Sequence, residues 1–494
     1  MKILMSLLCL SALCLSGCES DKEDHFSGIE GTGNKVEVAV AYGSITGFGS
    51  VYVNGVHFTT DSASVEIDGE RAEEGALAVG MVVEVIGEIN RNGSEGVAHT
   101  IRAERVLLGT VDTVVDIAAG RRVLKLLGQT VYVAEDAEFT GTDFEKLQPG
   151  LGLSVSGYVA ESGHITATYL QQHVFSAEQP RVVEGYISAV SPDALSFELP
   201  DLSVDASSAI FVAGAQANLA AGVRVAVTGQ YNTASQTLKA SQVVLKSQRL
   251  QEGRYTALEG VVQQFAGGNT FWVRDTAVDV SNASFENGIA SDLQNGAKVV
   301  IFGKVQNNVL VAERIVIKLF NTNRFQGVVS DIDLRTGTFR IRDIVFHTTS
   351  HTQFKDNSRR MERYFDIEHI HTGEDVEVYA VQVDGQWQVT RTSRLDFDQA
   401  MPDFIRGPVT LIEANRNFYM GDVLVDGSEL PESQWHALNE LQDSAITVDL
   451  EGYYTGDLAF KAVRIRINAN NGCDFHMSFY CDEDKPFDEH PFYR

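Results

Sequence analysis

Proline is scarce in this chain of 494 residues, with nine, and so are tryptophan, with three, and cysteine, with five. No stretch beyond the first twenty residues approaches the run of about eighteen apolar residues that a membrane-crossing helix needs. Sustained helical periodicity is also missing, which sets aside bundles and coiled coils. Positive charge is short: 39 Lys and Arg stand against 67 Asp and Glu, and the formal net charge of -28 repels phosphate backbones and anionic headgroups. Nucleic acid is therefore not an expected partner. The chain has no His-Glu-x-x-His, no Gly-x-Ser-x-Gly elbow, no Walker loop and no Gly-x-Gly-x-x-Gly after a strand. No catalytic residue and no cofactor is implied.

What the chain has is glycine, 43 of them, and a repeat. A branched aliphatic, two residues, glycine, six residues and a glycine or alanine recur as Leu77-Gly80-Gly87, Leu147-Gly150-Gly157, Leu219-Gly222-Gly229, Leu293-Gly296-Gly303 and Ile370-Gly373-Ala380. A sixth copy runs from Leu441 to Gly452 without the middle glycine. Each unit opens on glycine and a short aliphatic run, as at Gly43, Gly109, Gly185, Gly260, Gly327 and Gly407. Alternating strands follow, such as Val51/Val53, Phe197/Leu199, Phe271/Val273, Phe339/Ile341 and Phe418/Met420, with one face for a core. The leucine reads as a plug and the glycine after it as a residue with positive φ. A last strand carries a small residue three before an aliphatic: Ala103/Val106, Ala167/Leu170, Ala240/Val243, Ala312/Ile315, Thr392/Leu395 and Ala462/Ile465.

Five strands in about seventy residues predict a small closed barrel, because closure removes the edges of an open sheet. The expected fold is all-β, a tandem array of about six small five-stranded OB-like barrels. A short helix is expected before each Leu-x-x-Gly, with Glu70 to Leu77 and Asp143 to Leu147 as candidates. The repeats are placed at 41-107, 108-174, 182-248, 256-320, 325-396 and 404-467. Joined by short polar linkers, they would form a rod or bent string approaching about 170 Å.

The flanks carry an address. Met1-Lys2 and the apolar run Ile3 to Leu15 end in Leu15-Ser16-Gly17-Cys18, which resembles the lipobox of bacterial lipoproteins. That resemblance implies a signal peptide at 1-17, acylation of Cys18 and a membrane anchor there, since two or three chains hold stably. By the same resemblance, Glu19 after the cysteine favours the outer membrane, with its periplasmic or surface face left open. Residues 18-40 are polar and read as a flexible tether. Cys9 and Cys14 leave with the signal, so the remaining Cys473 and Cys481 suit one disulfide in a tail at 468-494. The rival is zinc held by both thiolates with His476.

The repeat resembles the bacterial "domain of unknown function 5666" family. The likeness is carried best by Gly43-Ser44-Ile45-Thr46, Val51-Tyr52-Val53-Asn54-Gly55, Gly80-Met81-Val82-Val83-Glu84-Val85 and Ala103-Glu104-Arg105-Val106, and it covers about 41 to 467. It implies exported β-repeats and adds no active site.

Candidate contact residues remain. If Val51/Val53, Phe271/Val273 and Phe418/Met420 point inward, Tyr52, Trp272 and Tyr419 point outward by alternation, where they would either stack on a ligand or pack between repeats. His347, His351, His369 and His371 offer imidazoles at metal-ligand spacing, but Ile370 fills the plug position and leaves its neighbours as surface groups, so no metal site is assigned. Asp331 to Gly337 reads as a hairpin turn in preference to a calcium loop. The basic run Lys355 to Arg363 reads as a solvated loop or a contact for an acidic partner. Taken together, a lipid-anchored, non-enzymatic scaffold, adhesion or partner-binding protein of the cell envelope is expected. A carbohydrate- or peptide-binding lipoprotein is the alternative, and a glycan hydrolase with a site between repeats is a third. The partner, an envelope protein or glycan, and the oligomeric state stay open.

Overall fold

The structure is a computed structural model that describes residues 36–90, 93–118, 120–176, 179–212, 215–246, 250–318, 323–341, 343–396, 402–413, 415–421, 423–439, 447–454 and 459–468. Its plan is set out in the first barrel. The strands are Val36–Phe48, Val51–Val53, Val56–Thr59, Val82–Asn90 and Glu95–Ala103. The first pairs antiparallel with the second, the second with the third, the third runs parallel to the fifth, and the fifth and first both flank the fourth. This ring is closed, as an OB-like barrel requires. The same circuit recurs in barrels 2, 4 and 5, whose first and fifth strands are Leu107–Ala118 and Ile165–Gln172, Tyr255–Gln263 and Val309–Ile317, and Asn323–Asp333 and Gln386–Leu395. In barrels 3 and 6 the first strand is broken: Arg181–Tyr186 and Asp403–Pro408 pair with the fourth strand, while the short Ala189–Val190 and Leu411–Ile412 pair with the second, and the fifth strands are Thr237–Leu245 and Ala459–Asn468. The fold is all-β and built of small barrels.

The repeated residues have distinct duties. Leu77, Leu147, Leu293 and Ile370 are buried plugs. The glycine that follows has φ between 82° and 92° in all five copies, and its N–H donates to the first strand, as from Gly80 to the Ile45 carbonyl at 2.8 Å and from Gly296 to that of Val262 at 2.9 Å. The last glycine of the motif faces a β-bulge. Between Ile86 and Gly87 the register with the fifth strand slips past His99, and the same slip occurs at Gly157, Gly229, Gly303, Ala380 and Gly452. A Cβ on Gly87 would lie 2.0 Å from the Val97 carbonyl oxygen. The bulge bends the hairpin so that the sheet can curl shut. Across the bulge Gly87 faces Ala98 and Ala380 faces Val389, while Gly157, Gly229, Gly303 and Gly452 face Ala167, Ala240, Ala312 and Ala462.

The helix expected before the plug is a single 3-10 turn in five barrels, as at Glu74–Ala76 and Phe144–Lys146. Glu70–Ala72 is instead a strand paired with Ser64–Ile67. Barrel 6 carries a true helix there, Glu432–Asn439.

The barrels do not follow one another in line. The second strand covers only the C-terminal part of the first, so the N-terminal part keeps an unpaired edge. Each such edge is closed by the first strand of another barrel. Leu107 and Leu108 pair with Val183 and Val182, joining barrels 2 and 3, and Arg324–Gln326 pair with Phe404–Arg406, joining 5 and 6. Ala39–Tyr42 run parallel to Tyr255–Leu258, which joins barrel 1 to barrel 4. The expected string is thereby corrected, because order along the chain is not order in space. Apolar cores follow these seams: one cluster runs through barrels 2 and 3, another through 5 and 6, and Ala257, Val300, Phe302 and Val316 of barrel 4 join the core of barrel 1.

Candidate functional site

Where the seam of barrels 1 and 4 meets barrels 2 and 5 lies a partly open cavity of about 150 Å³, with charged and hydroxyl groups set among apolar walls. The first strands of barrels 1 and 4 place Ser44 and Glu259 side by side. Ser44 donates from its N–H to Glu259 Oε2 at 3.1 Å and from Oγ to both carboxylate oxygens at 3.3 Å. Lys298 Nζ, from the start of barrel 4's fourth strand, lies 2.9 Å from Glu259 Oε1. Asn54, in the two-residue hairpin turn with Gly55, donates to the carbonyls of Tyr42 at 2.9 Å and Ala257 at 3.1 Å, tying both strands of the seam.

Burial alone would push the Glu259 carboxyl up, but Lys298, Lys318 and the bonds from Lys298 and Ser44 outweigh it and hold the group at about 2. Lys318, just beyond the fifth strand of barrel 4, is drawn down to about 8 by burial, against the attraction of Glu259 and with the repulsion of Lys298. His351 of barrel 5 is drawn down to about 3, first by burial and then by Lys318. Asp136 of barrel 2 is pushed up by burial, against Arg391, Arg121 and Lys298. His351 Nδ1 and Gln388 Oε1 are buried without a hydrogen-bond partner. Thr46, Thr166 and Thr349 add hydroxyls to the wall.

Around the cavity the barrels are locked by one acidic turn of barrel 2. Glu135 Oε1 sits 2.8 Å from Arg324 Nη1 and its other oxygen contacts Arg406. Glu138, buried, accepts from Gln353 Nε2 at 2.7 Å, contacts Lys355, and lies 3.1 Å from Arg391 Nε. The basic run is a largely exposed loop, Arg359 and Arg360 included, of which Lys355 and Arg363 reach other barrels. Lys355 meets Glu138, Arg360 meets Glu374 at 2.8 Å, and Arg363 donates to the carbonyls of Leu77 at 2.9 Å and Glu74 at 2.7 Å while covering the Phe48 ring at 3.7 Å. Within that run Asp356 and Glu362 bind the buried guanidinium of Arg394.

The outward aromatics part company. Val51, Val53, Phe271, Val273, Phe418 and Met420 are buried as alternation requires. Tyr52 is half-buried, stacked on His57 at 4.6 Å, and close enough to Asp366 and Glu368 of barrel 5 that burial and those carboxylates push its hydroxyl up. Tyr419 is half-buried opposite Leu411 and Leu424. Trp272 is 40% exposed. The three sit on second strands of three different barrels.

The histidines do not gather either. His351 faces the cavity, His369 Nδ1 lies 2.7 Å from Asp366, and His371 Nδ1 donates to its neighbour Ile370's carbonyl at 3.0 Å. His347 pairs across the sheet with Thr338 and Gln388. Among the described residues no group of three or more His, Cys, Asp or Glu is placed to hold a metal ion. Asp331 to Gly337 forms a hairpin turn in which Asp333 Oδ1 accepts from the Arg335 N–H. Cys18, Cys473 and Cys481 lie outside the described residues. The cavity itself escaped the sequence because its wall comes from four repeats. Lys318, one position past a strand, and Glu259, adjoining an opening glycine, carried no motif, and Ser44 stood only in the opening run of its repeat.

Comparison with solved structures finds the chain titled "drosophila Unr CSD456", 13% identical, matched over 43% of this chain and 97% of that one with a TM-score of 0.18, too low to bear on fold or binding. No curated protein matches. A family model described as a domain of unknown function (DUF5666) matches residues 42–102, 109–171, 184–244, 259–316 and 326–391. The sixth barrel, where a helix replaces the 3-10 turn, lies beyond the matched residues. With five matches covering more than half its length, the chain belongs to the DUF5666 family.

Proposed function

We propose that this is a lipid-anchored, non-enzymatic protein of the bacterial cell envelope, held at the outer membrane through Cys18, that presents a body of OB-like barrels to an envelope protein or glycan. The observation that carries this reading is Trp272. Among the described residues the three strand pairings that join barrels use first strands, whereas Trp272 stands on a second strand with its side chain 40% exposed. OB-like barrels bind on the face of strands two and three, and an exposed rigid indole stacks on peptide side chains or sugar rings. The lipobox-like Leu15-Ser16-Gly17-Cys18 and the polar stretch after it support the anchor. The pair Cys473 and Cys481 fits one disulfide in an exported tail, which a thiol count under non-reducing conditions tests.

The experiment is a crosslinking pull-down from intact cells with the full chain, Cys18→Ala and Trp272→Ala. Recovery of one envelope component that depends on both residues is expected. Recovery unaffected by Trp272→Ala would remove the barrel face from this reading, and absence of acyl label at Cys18 would remove the anchor. A soluble carbohydrate or peptide ligand is the second reading, favoured by the same ring. Saturable binding of glycan fragments to the purified chain, lost in Trp272→Ala, selects it.

A further inference from the structure

We propose that the cavity between barrels 1, 2, 4 and 5 binds a small oxyanion, a carboxylate or a phosphate, through the ammonium of Lys318 with Lys298 beside it. The case begins with charge. Two lysines and one glutamate from barrel 4 face the space together with Asp136 of barrel 2. The carboxylate of Glu259 is already engaged by the N–H and hydroxyl of Ser44 and by Lys298. A carboxylate offers about four lone-pair sites, so little of Glu259 is left to satisfy a second ammonium. Asp136, the other acid in the lining, is pushed toward its neutral form by burial, so Lys318 is short of a full counter-charge, and a buried cation in that position is costly.

The walls supply the rest of an oxyanion site. The Thr349 hydroxyl accepts from the His351 N–H at 3.1 Å and so retains its own proton to donate. His351 Nδ1 is buried without a partner, and Thr46 and Thr166 bring further hydroxyls. A space of about 150 Å³ admits a molecule of roughly benzene size. Glycolate, other short hydroxy acids and inorganic phosphate fall within that limit. The Lys318 titration is drawn down first by burial and further by Lys298, with Glu259 only opposing it.

The charged and titratable groups around Lys318 are Glu259 and Lys298 on its own barrel, Arg314 acting from the same sheet on His351, His351 on barrel 5 and Asp136 on barrel 2. Glu259 at about 2 and His351 at about 3 keep one state above neutrality. Lys318 is the member set to lose its charge between neutral and mildly alkaline pH.

The test is calorimetric titration of the purified full chain with sodium glycolate and, separately, sodium phosphate, against sodium chloride of equal ionic strength. Saturable one-site binding in at least one arm is expected, abolished in Lys318→Met; which arm binds more tightly assigns carboxylate or phosphate. Wild-type glycolate affinity, whose own charge is constant over the range, should weaken about tenfold or more between about pH 7 and about pH 9.5. That second measurement stands even where Lys318→Met fails to fold. No saturable heat in either arm, equal binding by Lys318→Met, or glycolate affinity indifferent to this pH change would overturn the proposal.

Discussion

The N–H of Ser44 donates to Glu259 Oε2 at 3.1 Å although 215 positions separate the two in the chain. That contact, with Lys298 on the far side of the carboxylate, pins the parallel seam between barrels 1 and 4. Glu259→Gln keeps the shape and removes the charge, leaving two ammonium groups beside the cavity without it. Chemical denaturation of the full chain should register a loss of about 3 kcal/mol, the scale for breaking a buried pair from one side. Adding Lys298→Met to that variant should restore part of the loss. Equal midpoints for Glu259→Gln and the wild type would show the seam does not depend on the ion pair.

Stability should vary with pH in three separable windows. Glu259, held at about 2 against an ordinary 4.5, contributes stability that is present above 4.5 and lost as pH falls toward 2. His351, drawn from 6.5 to about 3, favours the folded state above 6.5 and loses that advantage as pH falls from 6.5 toward 3. Lys318 acts on the alkaline side: its charged form opposes folding below about 8, and stability is gained as pH rises from there toward 10.5. In chloride buffers, the wild-type minus His351→Gln difference should change between 3 and 6.5. The corresponding Lys318→Met difference should change between 8 and 10.5. Flat differences across those windows would contradict the burial assigned to these groups.

The bulge glycines should be intolerant in a position-specific way. In Gly303→Ala the new Cβ would stand 2.0 Å from the Val311 carbonyl oxygen, so backbone must move, at a cost of about 3 kcal/mol. Gly75, with nothing within 4 Å of an added Cβ, is the control, and Gly75→Ala should stay within about 0.5 kcal/mol of wild type. Thermal unfolding of the two variants side by side decides the matter.

Arg363→Ala should loosen one joint without dissolving the barrels. It removes the bonds to the Glu74 and Leu77 carbonyls and the cover over Phe48. Amide exchange should quicken at Ala76 and Leu77, whose N–H groups close the 3-10 turn onto Glu73 and Glu74, while the fourth strand Val82–Asn90 keeps its protection. Unchanged exchange at the turn would mean that barrel 5 does not brace it.

The barrels were legible in the sequence because their glycines answer backbone demands that no side chain can meet, a positive φ at Gly80 and a close carbonyl at Gly87. Alternation told which side of the second strand is core. It could not choose between Ala98 and Ala103 as the bulge partner, since both precede an aliphatic by three. Nor could it distinguish one first strand from another, and so the pairing of barrel 1 with barrel 4 was hidden. The contacts of Lys355 and Arg363 within the basic run were hidden because their partners, Glu138 and the carbonyls of Glu74 and Leu77, lie in other repeats.

The seams also set an order of assembly. Barrels 2 and 3, and likewise 5 and 6, find their partners as soon as the next repeat along the chain is free to fold. The edge at Ala39–Tyr42 has to wait until Tyr255–Leu258 is free as well. Throughout that interval barrel 1 carries an open strand, and the folding chain needs either a chaperone on that edge or spacing from its neighbours to avoid pairing with the first barrel of another copy.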